Sequence, residues 1–297
     1  MKTMKNISKC LAAILLVVNL SSCVDLEPEP LSFFAPENTF MDKEGLEALL
    51  ITSRKQIKWE WFGDAFNAGY CETPLVYEYA WSDVSVMGAP EVKEIHNLET
   101  QLTPTTSMAL HLRYWDLAWN GIKYANTVIS RVPKSTIDNE TDKNELLAEG
   151  YFHRAYWYYL LVNQWGDVPL LLEEITEPKL DFYTVSRMKI LQQMKTDMEF
   201  AVKWLPKNVK PGCVNRAAGE HLLAKIYLST GDFQLAVDAT TRCINDYGLH
   251  LMKERFGVNA EDASLDVFND LFQEDNISSS ENKEAIFVVQ ERYGIEG

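Results

Sequence analysis

The chain has 297 residues and is acidic, with 28 Lys and Arg against 43 Asp and Glu and a formal net charge of −15 at pH 7. Proteins that hold nucleic acid or adhere to anionic lipid through charge present clusters of Lys and Arg, so this composition argues against both. The five cysteines include no CxxC pair, which argues against a structural zinc site.

Residues 1–22 are predicted to be a lipoprotein signal peptide. They begin with lysines and continue into an apolar stretch at residues 11–20, which is shorter than the roughly 20 residues that span a membrane. The tetrad LSSC at residues 20–23 fits a bacterial lipobox, in which the cysteine thiolate receives a diacylglyceryl group. We therefore expect lipidation of Cys23; plain secretion, with a cysteine at this place by chance, is the alternative.

Residues 23–38 are predicted to be an extended tether. The run VDLEPEP at residues 24–30 combines acidic residues with prolines, which cannot continue a helix. An acidic patch beside a lipidated cysteine also resembles the export signal of lipoproteins displayed outside the outer membrane in some diderm bacteria, and an ordinary solvated linker is the alternative. The folded domain is expected over residues 39–297.

Apolar residues then recur at helical spacing in successive segments. The segment that contains Trp115 and Trp119 follows the 3.6-residue period and is stopped by Pro133, which cannot continue a helix. Gly166-Asp167 closes the following segment, and an extended run over Val168–Leu172 comes next. The predicted helices are 37–58, Thr105–Val132, Asp142–Trp165 and Ser186–Leu205.

The clearest supersecondary unit is a helix over Ala217–Ser229, a turn at Gly231-Asp232 and a helix over Phe233–Asn245. Its pattern of small and aromatic residues resembles the helix–turn–helix of a tetratricopeptide repeat. Such units need neighbours to bury their apolar faces, and the preceding helices can supply them. The sequence therefore predicts a mostly α, tetratricopeptide-like helical-repeat scaffold with long loops and few short strands, one of them at residues 285–290.

Residues 145–171 contain Arg154-Ala155, an aromatic run and then Gly-Asp-Val-Pro-Leu at residues 166–170. This segment is the most specific of several that, in their order along the chain, resemble the SusD/RagB family of outer-membrane lipoproteins. His153 departs from the pattern, since the family usually has an apolar residue there. Family members generally continue for a few hundred residues past the last motif, so the chain is expected to correspond to the amino-terminal part. The other segments are the lipobox with Asp25-Leu26, then residues 115–126, 197–206, 216–246 and 282–290.

This resemblance implies a binding protein without catalytic activity or cofactor. It would be anchored in the outer membrane by its lipid, face the cell exterior, capture glycans or oligosaccharides and deliver them to a SusC-like TonB-dependent transporter. Two alternatives are a peptide-capturing member of the same family and a structural adaptor that holds the transporter without a ligand of its own. The chain has no HExxH or GxSxG motif that would indicate an enzyme.

Aromatic residues are concentrated at residues 59–81, where glycine and proline interrupt helical periodicity. Flat aromatic faces pack on the apolar faces of pyranose rings, and polar side chains read the hydroxyl groups. Trp81 and Asp83 are the strongest candidates, because the resemblance places their loop toward the ligand. The other candidate ligand-binding residues are Trp59, Trp61, Tyr70 and Asn67; for all of these aromatics, filling the core is the alternative.

The remaining polar and aromatic features are expected to be structural. Glu173-Glu174 is predicted to be a solvated turn, and the aspartates between residues 262 and 275 a polar surface stretch, since they lack the calcium-loop pattern. The cysteines allow one disulfide, but free thiols at Cys71, Cys213 and Cys243 are the favoured interpretation. The tryptophans expected in the core are Trp115, Trp119, Trp157 and Trp165.

Overall fold

The computed structural model describes residues 40–62, 82, 84 and 109–290. The longer helices are α1 (Lys43–Phe62), α2 (Ala109–Arg131), α3 (Glu140–Trp165), α4 (Arg187–Trp204), α5 (Arg216–Thr230) and α6 (Phe233–Asn245). The shorter elements are a 3-10 turn (Val132–Lys134), two strands, β1 (Val168–Pro169) and β2 (Thr184–Val185), and the helices α7 (Val267–Leu271) and α8 (Glu274–Ile277).

Capping groups set the helix ends that apolar spacing alone does not locate. Asn139 begins α3 before the predicted Asp142, because its Oδ1 accepts the Thr141 amide at 2.8 Å. The start of α1 also differs from the prediction: Phe40 has a φ of 61°, and the Asp42 carboxylate accepts the Gly45 amide at 2.8 Å. The helix therefore starts at Lys43, and it continues beyond residue 58 to Phe62.

The helices stack in chain order, as repeat scaffolds do. α1 packs on α2, α2 on α3, α3 on α4, α4 on α5 and α5 on α6. The largest fully buried side chains include Trp157, Tyr158 and Leu161 of α3, so this helix supplies much of the core. The mostly α, tetratricopeptide-like architecture is confirmed, and the Gly231-Asp232 turn lies where the sequence places it.

Strand structure is sparser than the sequence predicts. β1 pairs antiparallel with β2 through Val168 with Val185 and Pro169 with Thr184, so only the first two residues of the predicted extended run form a strand. The strand predicted at residues 285–290 is wrong. This segment lies along the helices: Ile286 and Phe287 pack against the core, and Asn215 Nδ2 donates to the Ile286 carbonyl at 2.9 Å.

The acidic stretch near the carboxyl end also differs from its prediction at one residue. Asp270 is fully buried and accepts two hydrogen bonds from Arg255, at 2.6 and 3.0 Å, so it is a structural anchor and no part of a polar surface. Cys213 and Cys243 are free thiols, whereas Cys71 lies outside the described residues. Of the helices that the structure describes, none combines the length and the apolar character that a bilayer-crossing segment needs.

Candidate functional site

Two of the predicted ligand-binding residues, Trp59 and Trp61, lie at the carboxyl end of α1. Their side chains are 39% and 36% exposed, which is high for tryptophan in a helix packed on a core. Both indoles reach the surface, but the two residues are two positions apart on α1, so they project from different sides of the helix. The predictions for Cys23, Asn67, Tyr70, Trp81 and Asp83 fall outside the residues that the structure describes.

Trp61 borders a groove of about 640 Å³ between α1, α3, α5 and the segment before residue 290. We call it the Trp61 groove. Its walls are mostly aromatic and aliphatic, and His221 and Lys225 of α5 contribute the basic groups. Other lining residues are Ile57, Phe152, Tyr156, Tyr159, Leu222, Phe287 and Val289.

A buried carboxylate fixes the end of α1 at this groove. Glu60 is fully buried and accepts hydrogen bonds from the hydroxyl groups of Tyr156, at 2.7 Å, and Tyr114, at 3.3 Å. Burial raises the pKa of the Tyr156 phenol, and the neighbouring Glu60 carboxylate raises it further, so the phenol stays protonated and keeps donating. The exposed tryptophans on either side of Glu60 are thus held on a rigid support.

A second concave surface lies between α2 and the segment that follows α3. We call it the Trp115–Trp119 cavity, and its volume is about 620 Å³. On α2 its residues recur at helical spacing along one face, from Trp115 to Thr127. The α2 residues are Trp115, Trp119, Ile122, Lys123, Asn126 and Thr127, and the opposite wall consists of Pro169, Leu171, Glu173, Glu174, Ile175 and Phe182.

Trp115 and Trp119 were predicted to be core residues, and that prediction is wrong in part. Both pack against the core on one side but remain partly exposed and line this cavity. Their rings meet edge to face with centroids 5.4 Å apart, and Trp165 approaches Trp115 in the same way at 5.2 Å. Periodicity identifies the face of α2 that meets the next element, but it does not tell whether that element fills the space.

Hydrogen bonds from two helices hold the backbone of the opposite wall. The Leu171 amide donates to the Tyr158 hydroxyl at 2.6 Å, and the Leu171 carbonyl accepts from Asn126 Nδ2 at 2.9 Å. Arg154 Nη1 donates to the Leu172 carbonyl at 2.7 Å. Arg154 is itself fixed by Asp197, with bonds of 2.8 and 3.0 Å. The wall is therefore clamped to the helical core through side chains that are buried themselves.

Glu174 extends this clamp, contrary to the predicted solvated turn. Arg131 donates to both of its carboxylate oxygens, at 2.9 and 2.6 Å, and the Glu174 amide donates to Ser130 Oγ at 2.9 Å. Bidentate pairs of this kind fix geometry as well as charge. Glu173, its neighbour, is exposed as predicted.

The departure at His153 also has a structural role. The imidazole is fully buried, and its Nε2 lies 3.5 Å from Glu149 Oε1. Arg54 of α1 donates to both oxygens of the same carboxylate at 2.6 and 2.8 Å. This cluster joins α1 to α3. Across the described ranges, no group of three His, Cys, Asp or Glu side chains is placed to hold a metal ion.

A family profile, SusD-like, described as starch-binding associating with outer membrane, matches residues 71–228. The matched range contains α2, α3, α4 and most of α5, and with them every residue that lines the Trp115–Trp119 cavity. It also contains the candidate residues Trp81 and Asp83.

The chain is similar to SusD-like protein P2 of Formosa agariphila, with 27% identity over 238 residues that cover 78% of this chain and 45% of that protein. It is also similar to the crystal structure of a SusD superfamily protein from Bacteroides vulgatus, with a TM-score of 0.63 and 20% identity over 75% of this chain and 48% of the other. A structure described as containing xylogluco-oligosaccharide has a TM-score of 0.61 and 21% identity over 82% and 46%.

The chain spans about half the length of these relatives. The structural likenesses share the helical fold, and the profile match extends over more than half of the chain, from residue 71 to residue 228. Together with the stacked helices described above, these findings show that the chain belongs to the SusD-like family, whose members associate with the outer membrane.

Proposed function

We propose that this protein is a glycan receptor of the outer membrane. It binds oligosaccharides at the cell surface and passes them to a SusC-like TonB-dependent transporter. The observation that carries the proposal is Trp61, an exposed indole that borders an aromatic groove at a rigid helix end of a chain in the SusD-like family. The related structure that contains xylogluco-oligosaccharide supports a glycan as the ligand class.

The contact surface that we propose is the Trp61 groove, where the indole face of Trp61 would pack on a pyranose ring and the groove continues along α3 and α5. Trp59 would offer a second indole on another side of the helix end. Trp81 and Tyr70 would add aromatic faces, and Asp83 and Asn67 would read hydroxyl groups; these four residues lie outside the described ranges.

Affinity electrophoresis of the detergent-solubilised full-length protein in gels with starch, xyloglucan or laminarin tests this proposal. We expect at least one of these polymers to retard the protein, and the double variant Trp59→Ala/Trp61→Ala to lose most of the retardation. Burial of a large apolar side chain is worth about 1.5–3 kcal/mol, so losing the contact of even one indole gives a loss of tenfold or more.

Phe233→Ala on α6 is the matched control, because Phe233 is an aromatic residue that is 66% exposed and lies outside both concave surfaces. Its retardation should equal that of the wild type. If neither these polymers nor a glycan array retains the wild-type protein, the proposed function is wrong.

Lipid anchoring at Cys23 is the other part of the proposal. It would place the receptor on the outer membrane, and residues 24–38 would give it reach. Mass spectrometry of the native protein should find an acylated amino-terminal Cys23, and the Cys23→Ser variant should leave the membrane fraction. An unmodified cysteine in the membrane-bound protein would contradict this mode of attachment.

A further inference from the structure

The Trp115–Trp119 cavity is separate from the surface proposed above. It has no lining residue in common with the Trp61 groove, and neither Trp59 nor Trp61 borders it. Its volume of about 620 Å³ is in the range of small-molecule sites, about 300–1,000 Å³. A ligand in this cavity would therefore be bound independently of the end of α1.

The cavity is preformed. Tyr158, Asn126 and Arg154 hold the wall at Leu171 and Leu172, and Arg131 holds it at Glu174. A wall that is fixed before the ligand arrives loses little conformational entropy on binding. This arrangement is typical of a binding site and differs from a gap between loosely packed loops.

The surface that the cavity presents combines an aromatic floor with a small polar rim. Trp115 and Trp119 form the floor, with Ile122 and Leu171 beside them. At the rim, the side chains of Lys123 and Glu173 are exposed, and among the described residues neither side chain forms a hydrogen bond or an ion pair. The Lys123 ammonium lies over the Tyr124 ring, 5.8 Å from its centroid. The rim thus offers an ammonium group as donor and a carboxylate as acceptor.

The charges at the cavity balance. Arg131 neutralises Glu174, which leaves one cation, Lys123, and one anion, Glu173. An ionic ligand would gain from one of them and be repelled by the other. A neutral molecule that has an apolar face for the indoles, and hydroxyl groups that both donate and accept, fits all of these groups.

We infer that the Trp115–Trp119 cavity is a second carbohydrate-binding site, which takes a pyranose ring of a neutral oligosaccharide on the Trp115 and Trp119 indoles, with Lys123 and Glu173 as its hydroxyl-reading groups. This inference rests on the proposed function for the ligand class, but on different residues. Two separate sites on one receptor would bind a long chain at two points and strengthen its capture by raising the effective concentration at the second site.

Isothermal titration of the full-length protein with xylogluco-oligosaccharide and maltoheptaose tests the inference. We expect two equivalents of the better ligand to bind. Trp119→Phe with Glu173→Gln should weaken one equivalent about tenfold, and Trp59→Ala/Trp61→Ala should remove the other. Thermal melting of each variant verifies that it is folded, and Trp119→Phe keeps an aromatic ring against Tyr158, which it contacts edge to face.

Lysine acylation followed by mass spectrometry provides a local readout. Oligosaccharide at a concentration near the dissociation constant of the wild-type protein should protect Lys123 in the wild type and in Trp59→Ala/Trp61→Ala, and much less in Trp119→Phe/Glu173→Gln. Lys253, which is exposed and borders neither concave surface, is the internal control.

The outcomes separate the two proposals. If only one equivalent of oligosaccharide binds, if its binding is lost only in Trp59→Ala/Trp61→Ala, and if Lys123 is not protected, the second site is wrong and the proposed function stands. One equivalent that depends only on Trp119 and Glu173 would support the cavity and contradict the surface at α1. Absence of binding to either ligand and to a glycan array would overturn both.

Discussion

At the scale of single residues, two ion pairs, one buried and one partly buried, connect helices. Arg154 of α3 is 3% exposed and pairs with Asp197 of α4, while Arg54 of α1 pairs with Glu149 of α3. A buried pair stabilises little compared with an apolar pair of the same shape, but removing one partner is costly because the other charge stays buried. The main effect of these pairs is therefore to specify which helices pack together. Their net contribution to the free energy of folding is small.

The Glu149 carboxylate makes the stability of the protein depend on pH. Although burial raises the pKa of this group, His153 and Arg54 beside it outweigh burial and lower the pKa below its ordinary value. The charged Glu149 carboxylate therefore stabilises the folded protein above the pKa of a glutamate in the unfolded chain, about 4.3. This stabilisation is lost as pH falls through the lower pKa of Glu149 in the folded state.

We expect Glu149→Gln to be less stable than the wild type at pH 7, and the difference in urea midpoint to shrink as pH falls toward 3. Urea unfolding at pH steps between 7 and 3, followed by circular dichroism, measures it. Glu254→Gln changes an exposed residue, so the difference between its urea midpoint and that of the wild type should stay constant over this pH range. A difference that is constant over the whole range would show that the Glu149 charge does not contribute.

At the scale of elements, close helix approach depends on glycine. A Cβ at Gly121 of α2 would overlap the indole of Trp157, which is fully buried in α3 and cannot move aside. At Gly150 of α3 the nearest atom is Ile129 Cγ1, 3.1 Å from the position of a Cβ, so this partly exposed side chain needs to shift by only a few tenths of an ångström. The two glycines therefore tolerate a methyl group differently.

Gly121→Ala should destabilise the protein by up to about 2 kcal/mol, because an overpacking cost of about 1–3 kcal/mol opposes a gain of about 1 kcal/mol in helix propensity. Gly150→Ala should stay within about 1 kcal/mol of the wild type. Urea unfolding of both variants measures the difference. Equal effects of the two changes would mean that α2 and α3 are not held together as closely as the structure shows.

The positions of the helices and of residues 285–290 show what the sequence can and cannot predict. The 3.6-residue period located α2 to α6, since each buries an apolar face against its neighbour. It misplaced the start of α1, which depends on Asp42, and it read residues 285–290 as a strand because apolar runs pack equally well on helices. The cavity was missed because its wall is held by Arg154 and Asn126 from distant parts of the chain.

At the scale of the whole molecule, charge would limit the glycans that the proposed receptor can capture. The chain carries a formal net charge of −15 at pH 7, and a field of this sign lowers the local concentration of polyanions. Neutral polysaccharides are not affected in this way. The composition of the proposed receptor and the balanced charges of the cavity therefore favour the same ligand class.

Acidic polysaccharides such as polygalacturonate should bind more weakly than neutral ones, and their binding should strengthen as salt rises from about 10 to 150 mM, because the Debye length falls from roughly 30 to 8 Å. Affinity for a neutral oligosaccharide should hardly change. Titration calorimetry at several salt concentrations measures both. Acidic glycans that bind best at low salt would contradict a charge-based exclusion.

The wall opposite α2 in the Trp115–Trp119 cavity also determines which residues of the cavity can vary during evolution. Its backbone is fastened at Leu171, Leu172 and Glu174, while Ile175 and Phe182 at the mouth are 47% and 44% exposed and carry little of the packing. Substitutions at the mouth can therefore change what enters at small cost in folding free energy. The backbone that shapes the Trp115–Trp119 cavity and the side chains at its mouth can therefore change independently during evolution.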